Sequence, residues 1–257
     1  QPFSLLGALD IEGLRSALLE QWGELWAPAD FGGGGTKNDY NFLFPGLRGA
    51  ARTFPGMMNA KLLFSGQMVG SRRAAAAANA SWRGLRFASE IGETCLVFPA
   101  WRALSAHVIP LLDELLGHRL KTSRIERHVW RVQLNRLPKG AEIRPHVDQG
   151  SYVLGAHRLH IPLIVPKCVR FEQQRPAAGG AWSEIPMKEA EAFEVNNKIR
   201  HRVAQTGPYE RVSLVIDVAE RPCARYVEVS AACTGWDDEE CISDHHVDER
   251  EWRGLAS

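Results

Sequence analysis

The residues with the clearest chemical potential fall in three short stretches: Arg144-Pro145-His146-Val147-Asp148, His201-Arg202-Val203 and Arg211-Val212-Ser213. Side chains of an extended segment alternate, so Arg144, His146 and Asp148 are expected on one face, with Pro145 and Val147 on the other. His146 and Asp148 then lie about 7 Å apart at their Cα atoms, close enough to hold one ion. A second imidazole must come from elsewhere. Two histidines and one carboxylate on one face of an octahedral ion, with three positions open, suit non-haem Fe(II) and oxygen chemistry. Of the nine histidines, His107 and His118 lie in a helical half, His245 and His246 in a polar tail, and His128, His157 and His160 near strands. His201 stands out because it opens a strand and is followed ten residues later by Arg211 on another, with Ser213 on the Arg211 face. Arg211 offers a forked, permanently charged donor set for a carboxylate, and Ser213 adds a hydroxyl to the same anion.

These residues need strands to carry them, and residues 127–229 supply the pattern. Val129–Asn135, Leu159–Val165, Val169–Glu172, Ala192–Val195 and Arg211–Ile216 are rich in β-branched and aromatic residues, and turn signals such as Pro138-Lys139-Gly140 separate them. Such spacing predicts an all-β sandwich or barrel. Helices flank it. Apolar residues Ile11, Leu14, Leu18, Trp22 and Leu25 fall on one helical face between Asp10 and Trp26, and a second helical pattern runs from about Ala100 to Leu116. Pro110 predicts that this second pattern is broken into two short helices. Residues 37–60 show no clear period and are expected to be irregular structure or short strands. Phe31-Gly32-Gly33-Gly34-Gly35-Thr36 lacks the Lys-Ser/Thr ending of a phosphate loop and is expected to be a flexible loop. The run Ala74–Ala78 favours helix by propensity. The expected organisation is an N-terminal helical and irregular region over residues 1–100 packed on the core, a catalytic core over 101–220, and a C-terminal extension over 221–257.

Composition narrows the partners. With 31 Lys and Arg against 30 Asp and Glu, the net charge of +1 leaves no electrostatic footprint for a nucleic-acid backbone. No apolar run approaches the roughly 20 residues that span a bilayer, so the chain is expected to be soluble, with a small-molecule or peptide substrate. It begins at Gln1 rather than Met, which leads us to expect that something upstream has been removed. Five cysteines, Cys95, Cys168, Cys223, Cys233 and Cys241, form no CxxC pair and are expected to be free thiols, with one local Cys233–Cys241 disulfide as the alternative. The compartment stays open, with the cytoplasm slightly favoured over a secretory-pathway lumen. Asn79-Ala80-Ser81 matches a glycosylation acceptor, as a single weak triplet.

The run Leu134–Asp148, then His157-Arg158-Leu159-His160-Ile161-Pro162-Leu163, Asn196-Asn197, His201-Arg202-Val203 and Arg211–Asp217 resembles the aspartyl/asparaginyl β-hydroxylase family. The match covers about residues 100–220, and its specificity lies in the HxD, distal His and Arg taken together. The resemblance implies a double-stranded β-helix (jelly-roll, cupin-like) core within a mainly β chain with flanking helices. It also implies Fe(II), 2-oxoglutarate as co-substrate, and dioxygen. Carried over by position, His146, Asp148 and His201 bind iron, and Arg211 with Ser213 holds the distal carboxylate of 2-oxoglutarate. Arg158 faces the pocket near the co-substrate. Asn135, eleven residues before His146, sits where family members place a small polar contact to it. Asp148 sets the chain apart from animal members, which bind iron with two histidines, and makes it similar to microbial members and free-proline hydroxylases. Gln205 stands where the family has Asn. No helical-repeat extension like that of the animal enzymes is present, which points away from a protein substrate.

The reaction implied is hydroxylation of an unactivated C–H bond in an amino acid, peptide or related small substrate, with succinate and carbon dioxide released. Two alternatives compete with it. One is a non-catalytic metal-binding cupin-like module, in which Arg211 has no role; the other is a related 2-oxoglutarate chemistry such as desaturation. Halogenation is disfavoured because Asp148 fills the position a halide needs. Arg144 and Gln133 are candidates for contacting substrate, Gln133 equally for an exposed polar strand face. His160 shares the strand face of Arg158 and is expected as a core histidine. Trp130, Trp182 and Phe171 are expected to pack.

Overall fold

Arg211–Ala219 forms a strand whose nine residues are all buried, and the rest of the molecule is layered on its two faces. Val212, Leu214, Ile216 and Val218 point to one side and join the main apolar core, while Arg211, Ser213 and Asp217 point to the other. A computed structural model of the chain describes residues 3–27, 56–65, 94–117, 120, 125–148, 155–175, 179–205, 207–231 and 242–246. In chain order its strands are β1 (Phe3–Ala8), β2 (Met58–Ser65), β3 (Thr94–Val97), β4 (Val129–Leu137), β5 (Ile143–His146), β6 (Ala156–Ile164) and β7 (Val169–Arg175). They continue with β8 (Ala181–Ile185), β9 (Glu191–Val195), β10 (His201–Gln205), β11 (Arg211–Ala219), β12 (Arg225–Val229) and β13 (Ile242–His246). The helices are α1 (Glu12–Glu20), α2 (Trp22–Leu25) and α3 (Pro99–Leu116).

Nine strands make one sheet in the order β1-β9-β6-β11-β4-β2-β3-β12-β13, and four make a second in the order β5-β10-β7-β8. The core is therefore mainly β, a jelly roll with flanking helices. Strands from both chain ends add to the large sheet: β1 pairs with β9, and β12 runs parallel to β3. Two apolar clusters follow from the alternation. The larger unites the outer face of the large sheet (Val132, Leu134, Leu159, Ile161, Leu214, Ile216) with the buried faces of α1 and α3. The smaller, around Leu137, Phe171, Phe193, Val195 and Val203, seals the space between the two sheets.

Two expectations are corrected here. Helix α3 runs unbroken through Pro110. A mid-helix proline costs about 3 kcal/mol, but Ile109, Leu111 and Leu112 beside it are buried against the sheet at about 1.5–3 kcal/mol each, so packing holds the helix straight through it. The thiol expectation also fails for two cysteines, since Cys95 and Cys223 form a disulfide across 128 residues of sequence, with a Cα separation of 6.1 Å. Parallel pairing of β3 with β12 brings them together, a juxtaposition that sequence spacing does not carry. Cys168 is not part of that disulfide. Cys233, Cys241, Asn79, the glycine-rich 31–36 stretch and the 74–78 alanine run lie outside the described residues.

Candidate metal centre

His201 opens β10 opposite His146, the last residue of β5. Between them the register slips: His201 pairs with His146 and Val203 with Ile143, so two residues of β10 span three of β5. This bulge breaks the alternation and corrects the expectation for Arg144. Ile143 and His146 both line the central cleft, whereas Arg144 turns out to solvent, 62% exposed and paired with Glu142 at 3.4 Å.

The ligand atoms of His146, Asp148 and His201 lie within 4.8 Å of one another. Each imidazole is held from behind by a backbone carbonyl, His146 Nδ1 by Arg144 at 2.8 Å and His201 Nδ1 by Ile199 at 2.9 Å. A carbonyl only accepts, so each Nδ1 carries the proton and each Nε2 presents its lone pair. His146 Nε2 stands 3.3 Å from Asp148 Oδ1. The other carboxylate oxygen of Asp148 accepts from Arg158, which also grips Asp217 through two bonds of 2.7 and 2.8 Å. Burial works to raise the Asp148 carboxyl, but Arg158 and the two imidazoles hold it well below the usual carboxylate range. Burial, followed by the neighbouring His146, lowers His201. Two lone-pair nitrogens and one ionised oxygen converging from one side form a donor set suited to a divalent cation with open positions.

The site resides in a cleft of about 150 Å³ between the two sheets. At the same cleft Arg211 is 5% exposed, and burial lowers its guanidinium to about 10. Among the described residues it donates to Met187 Sδ at 3.8 Å and lies 5.9 Å from the Phe171 ring, with no carboxylate on it. Ser213 Oγ beside it and His160 Nδ1 are buried without a hydrogen-bond partner among the described residues. A larger depression of about 420 Å³ is lined by His157, Glu194 and Asn197 and contains neither His201 nor Arg211.

A model of the aspartyl/asparaginyl β-hydroxylase family matches residues 69–221, which include all of these residues. The chain belongs to the aspartyl/asparaginyl β-hydroxylase family. Among solved structures, a 2OG-Fe(II) oxygenase family oxidoreductase from Burkholderia pseudomallei is similar at 21% identity, covering 46% of this chain and 60% of that one, with a TM-score of 0.36. A Pseudomonas putida prolyl-4-hydroxylase is similar at 13% identity over 86% of this chain and 93% of that one, TM-score 0.39. The apo form of a non-heme monooxygenase, ThoJ, is similar at 15% identity over 93% and 82%, TM-score 0.41. The chain thus spans 60% of the length of the first of these structures. No curated protein matches it.

In this family member the structure brings together His146, Asp148, His201, Arg158, Arg211, Ser213, Asn135 and Gln133 at one cleft, and leaves Arg144 outside. Gln133 Nε2 donates to Asn59 at 2.9 Å and to Asn135. The register explains the grouping. Asn135 pairs with Ser213 and Asn59, Gln133 with Val215 and Lys61, and Arg131 with Asp217 and Phe64, so three rows of cleft-facing residues cross β11, β4 and β2. Sequence reasoning missed Asn59, Lys61 and Arg131. Arg131 was within reach, since it alternates with Gln133 and Asn135; it meets Asp217 at 3.1 Å. His160, expected in the core, lines the cleft, and burial with Arg211 and Arg158 nearby keeps it well below 6.5, hence neutral. Phe171 packs as expected, stacked on His201 at 5.7 Å and 7°.

Proposed function

We propose that the chain is an Fe(II)- and 2-oxoglutarate-dependent dioxygenase that hydroxylates an unactivated C–H bond of an amino acid, peptide or related small substrate, with succinate and carbon dioxide as co-products. His146, Asp148 and His201 are the iron ligands in this reading, and Arg211 with Ser213 takes the distal carboxylate of 2-oxoglutarate. When bound, Fe(II) with the keto acid supplies the activation of dioxygen. The chain's own residues position and exclude. Arg158 keeps Asp148 ionised and aimed, and the stacked Phe171 fixes the plane of the His201 ring. Asn135 and Gln133 offer amides at the side of the cleft nearest β2, where a co-substrate or substrate polar group can be met.

The observation that carries this reading is the buried Arg211 guanidinium, with the unpartnered Ser213 hydroxyl next to it and the metal donor set in the same cleft. An isolated buried cation is costly, and an anion that spans from metal to clamp removes that cost. A metal site that serves structure alone has no use for the clamp. The Cys95–Cys223 disulfide supports an oxidising compartment over the cytoplasm.

The test is succinate release. Fe(II)-loaded protein given oxygen, 2-oxoglutarate and a library of amino acids and peptides is expected to form succinate with a subset of them, and Arg211→Met is expected to form far less at the same 2-oxoglutarate concentration. Succinate release by Arg211→Met at the wild-type rate would remove the assignment of the clamp.

A further inference from the structure

Two of the three metal donors hang on one turn. Residues 196–199 join β9 to β10, and the turn is closed by Ile199 N–H donating to the Asn196 carbonyl at 3.1 Å and Lys198 N–H to Asn196 Oδ1 at 3.1 Å. From this turn the Asn197 carbonyl accepts the Asp148 backbone N–H at 3.2 Å, and the Ile199 carbonyl holds His201 Nδ1 at 2.9 Å. Asp148 has left β5 and is part of no strand, so its backbone is tied by the Asn197 bond while its carboxylate meets Arg158 and His146. A shift of the turn therefore moves the carboxylate and the imidazole relative to each other.

One side chain ties that turn to the small sheet. Gln173, on β7 directly across from His201, is 1% exposed, and its Nε2 donates to the Asn196 carbonyl at 2.9 Å. Only the NH₂ end can face a carbonyl, so the amide orientation is set. Its Oε1 is then left buried with no hydrogen-bond partner among the described residues. A methionine or leucine fills the same volume without stranding an acceptor, so the buried amide carries a cost that they do not. The donor bond to the turn is the return for that cost.

We propose that Gln173 is a positioning residue of the metal site: through the Asn196 carbonyl it fixes the 196–199 turn, and through the turn the separation of Asp148 from His201. The inference rests on the metal-binding reading above. Groups that orient ligands from behind typically contribute 10- to 100-fold in metal affinity.

The experiment is an anaerobic titration of wild-type protein and Gln173→Met with Co(II), read by visible absorption, alongside thermal melts of the metal-free proteins. Wild type is expected to bind one Co(II) per chain, and Gln173→Met to bind about tenfold more weakly with an altered spectrum, its metal-free melt staying cooperative. Affinity and spectrum unchanged in a folded Gln173→Met overturn the inference and leave the metal site standing. Wild type that binds no Co(II) overturns the site itself. Should Gln173→Met not fold, Gln173→Leu decides by the same titration: it too removes the donor to the Asn196 carbonyl, and a severalfold loss of Co(II) affinity is expected, whereas wild-type affinity overturns the inference.

Discussion

Arg211 and Ser213 stand on a nine-residue strand paired on both sides and buried along its whole length, whereas His146, Asp148 and His201 sit at the ends of four- and five-residue strands or just beyond them. The clamp inherits its position from the sheet. The metal donors do not, and each is held by a bond of its own: backbone carbonyls behind the two imidazoles, Arg158 behind the carboxylate. In the proposed reading a long paired strand carries the anion clamp, while short strand ends carry metal donors that depend on the groups behind them.

The contrast can be broken at several points. The largest effect is expected from His201→Ala, which removes a donor and should abolish stoichiometric Fe(II) binding, measured by metal content after desalting, with the fold intact by circular dichroism. Next comes Asp217→Asn. Asp217 is 1% exposed and holds both Arg158 and Arg131. Neutralising it removes the buried carboxylate that the two guanidiniums share, with a loss of about 3–5 kcal/mol and a Tm lowered by on the order of 10 °C in calorimetry. Because Arg158 also aims Asp148, metal affinity should fall with it. Arg211→Met is expected to lower 2-oxoglutarate affinity on the order of 100-fold by calorimetric titration while Fe(II) binding is retained. Equal damage to both ligands would mean that the clamp and the metal donors are one unit rather than two.

The contrast also explains what is legible in the sequence. Strict alternation along β11 and β4 places Arg211, Ser213, Gln133 and Asn135 on one face from residue order alone, because a paired strand obeys a period of two. The same rule misplaces Arg144, since a bulge in β5 reverses the faces between Ile143 and His146. Asn59 and Lys61 are out of its reach: β2 carries a register shift of its own between Lys61 and Leu63, and the residues before it show no period. The Cys95–Cys223 pair depends on a parallel contact between strands far apart in sequence. Pro110 misleads because local propensity takes no account of the apolar face that α3 buries.

Smaller effects sharpen the comparison further. His160 is held well below its ordinary 6.5 mainly by burial, so above that pH it is neutral both folded and unfolded. Below it the unfolded chain takes up a proton that the folded chain refuses. Metal-free protein should therefore lose stability as pH falls from 6.5, by up to about 1.4 kcal/mol per pH unit for this group, in denaturant melts. His160→Gln should flatten that slope, leaving the part due to His201. Arg144→Ala, at the turned-out position, is expected to change stability by less than about 0.5 kcal/mol and to leave Fe(II) and 2-oxoglutarate binding unaltered. A clear loss of either would return Arg144 to the site.

The central claim is that the metal donors and the clamp hold one keto acid between them. Anaerobic titration of Fe(II)-loaded protein with 2-oxoglutarate tests it most directly. A visible charge-transfer band that saturates at one 2-oxoglutarate per iron, and that Arg211→Met reaches only at much higher concentration, is the predicted result. Fully loaded wild-type protein that develops no such band contradicts it.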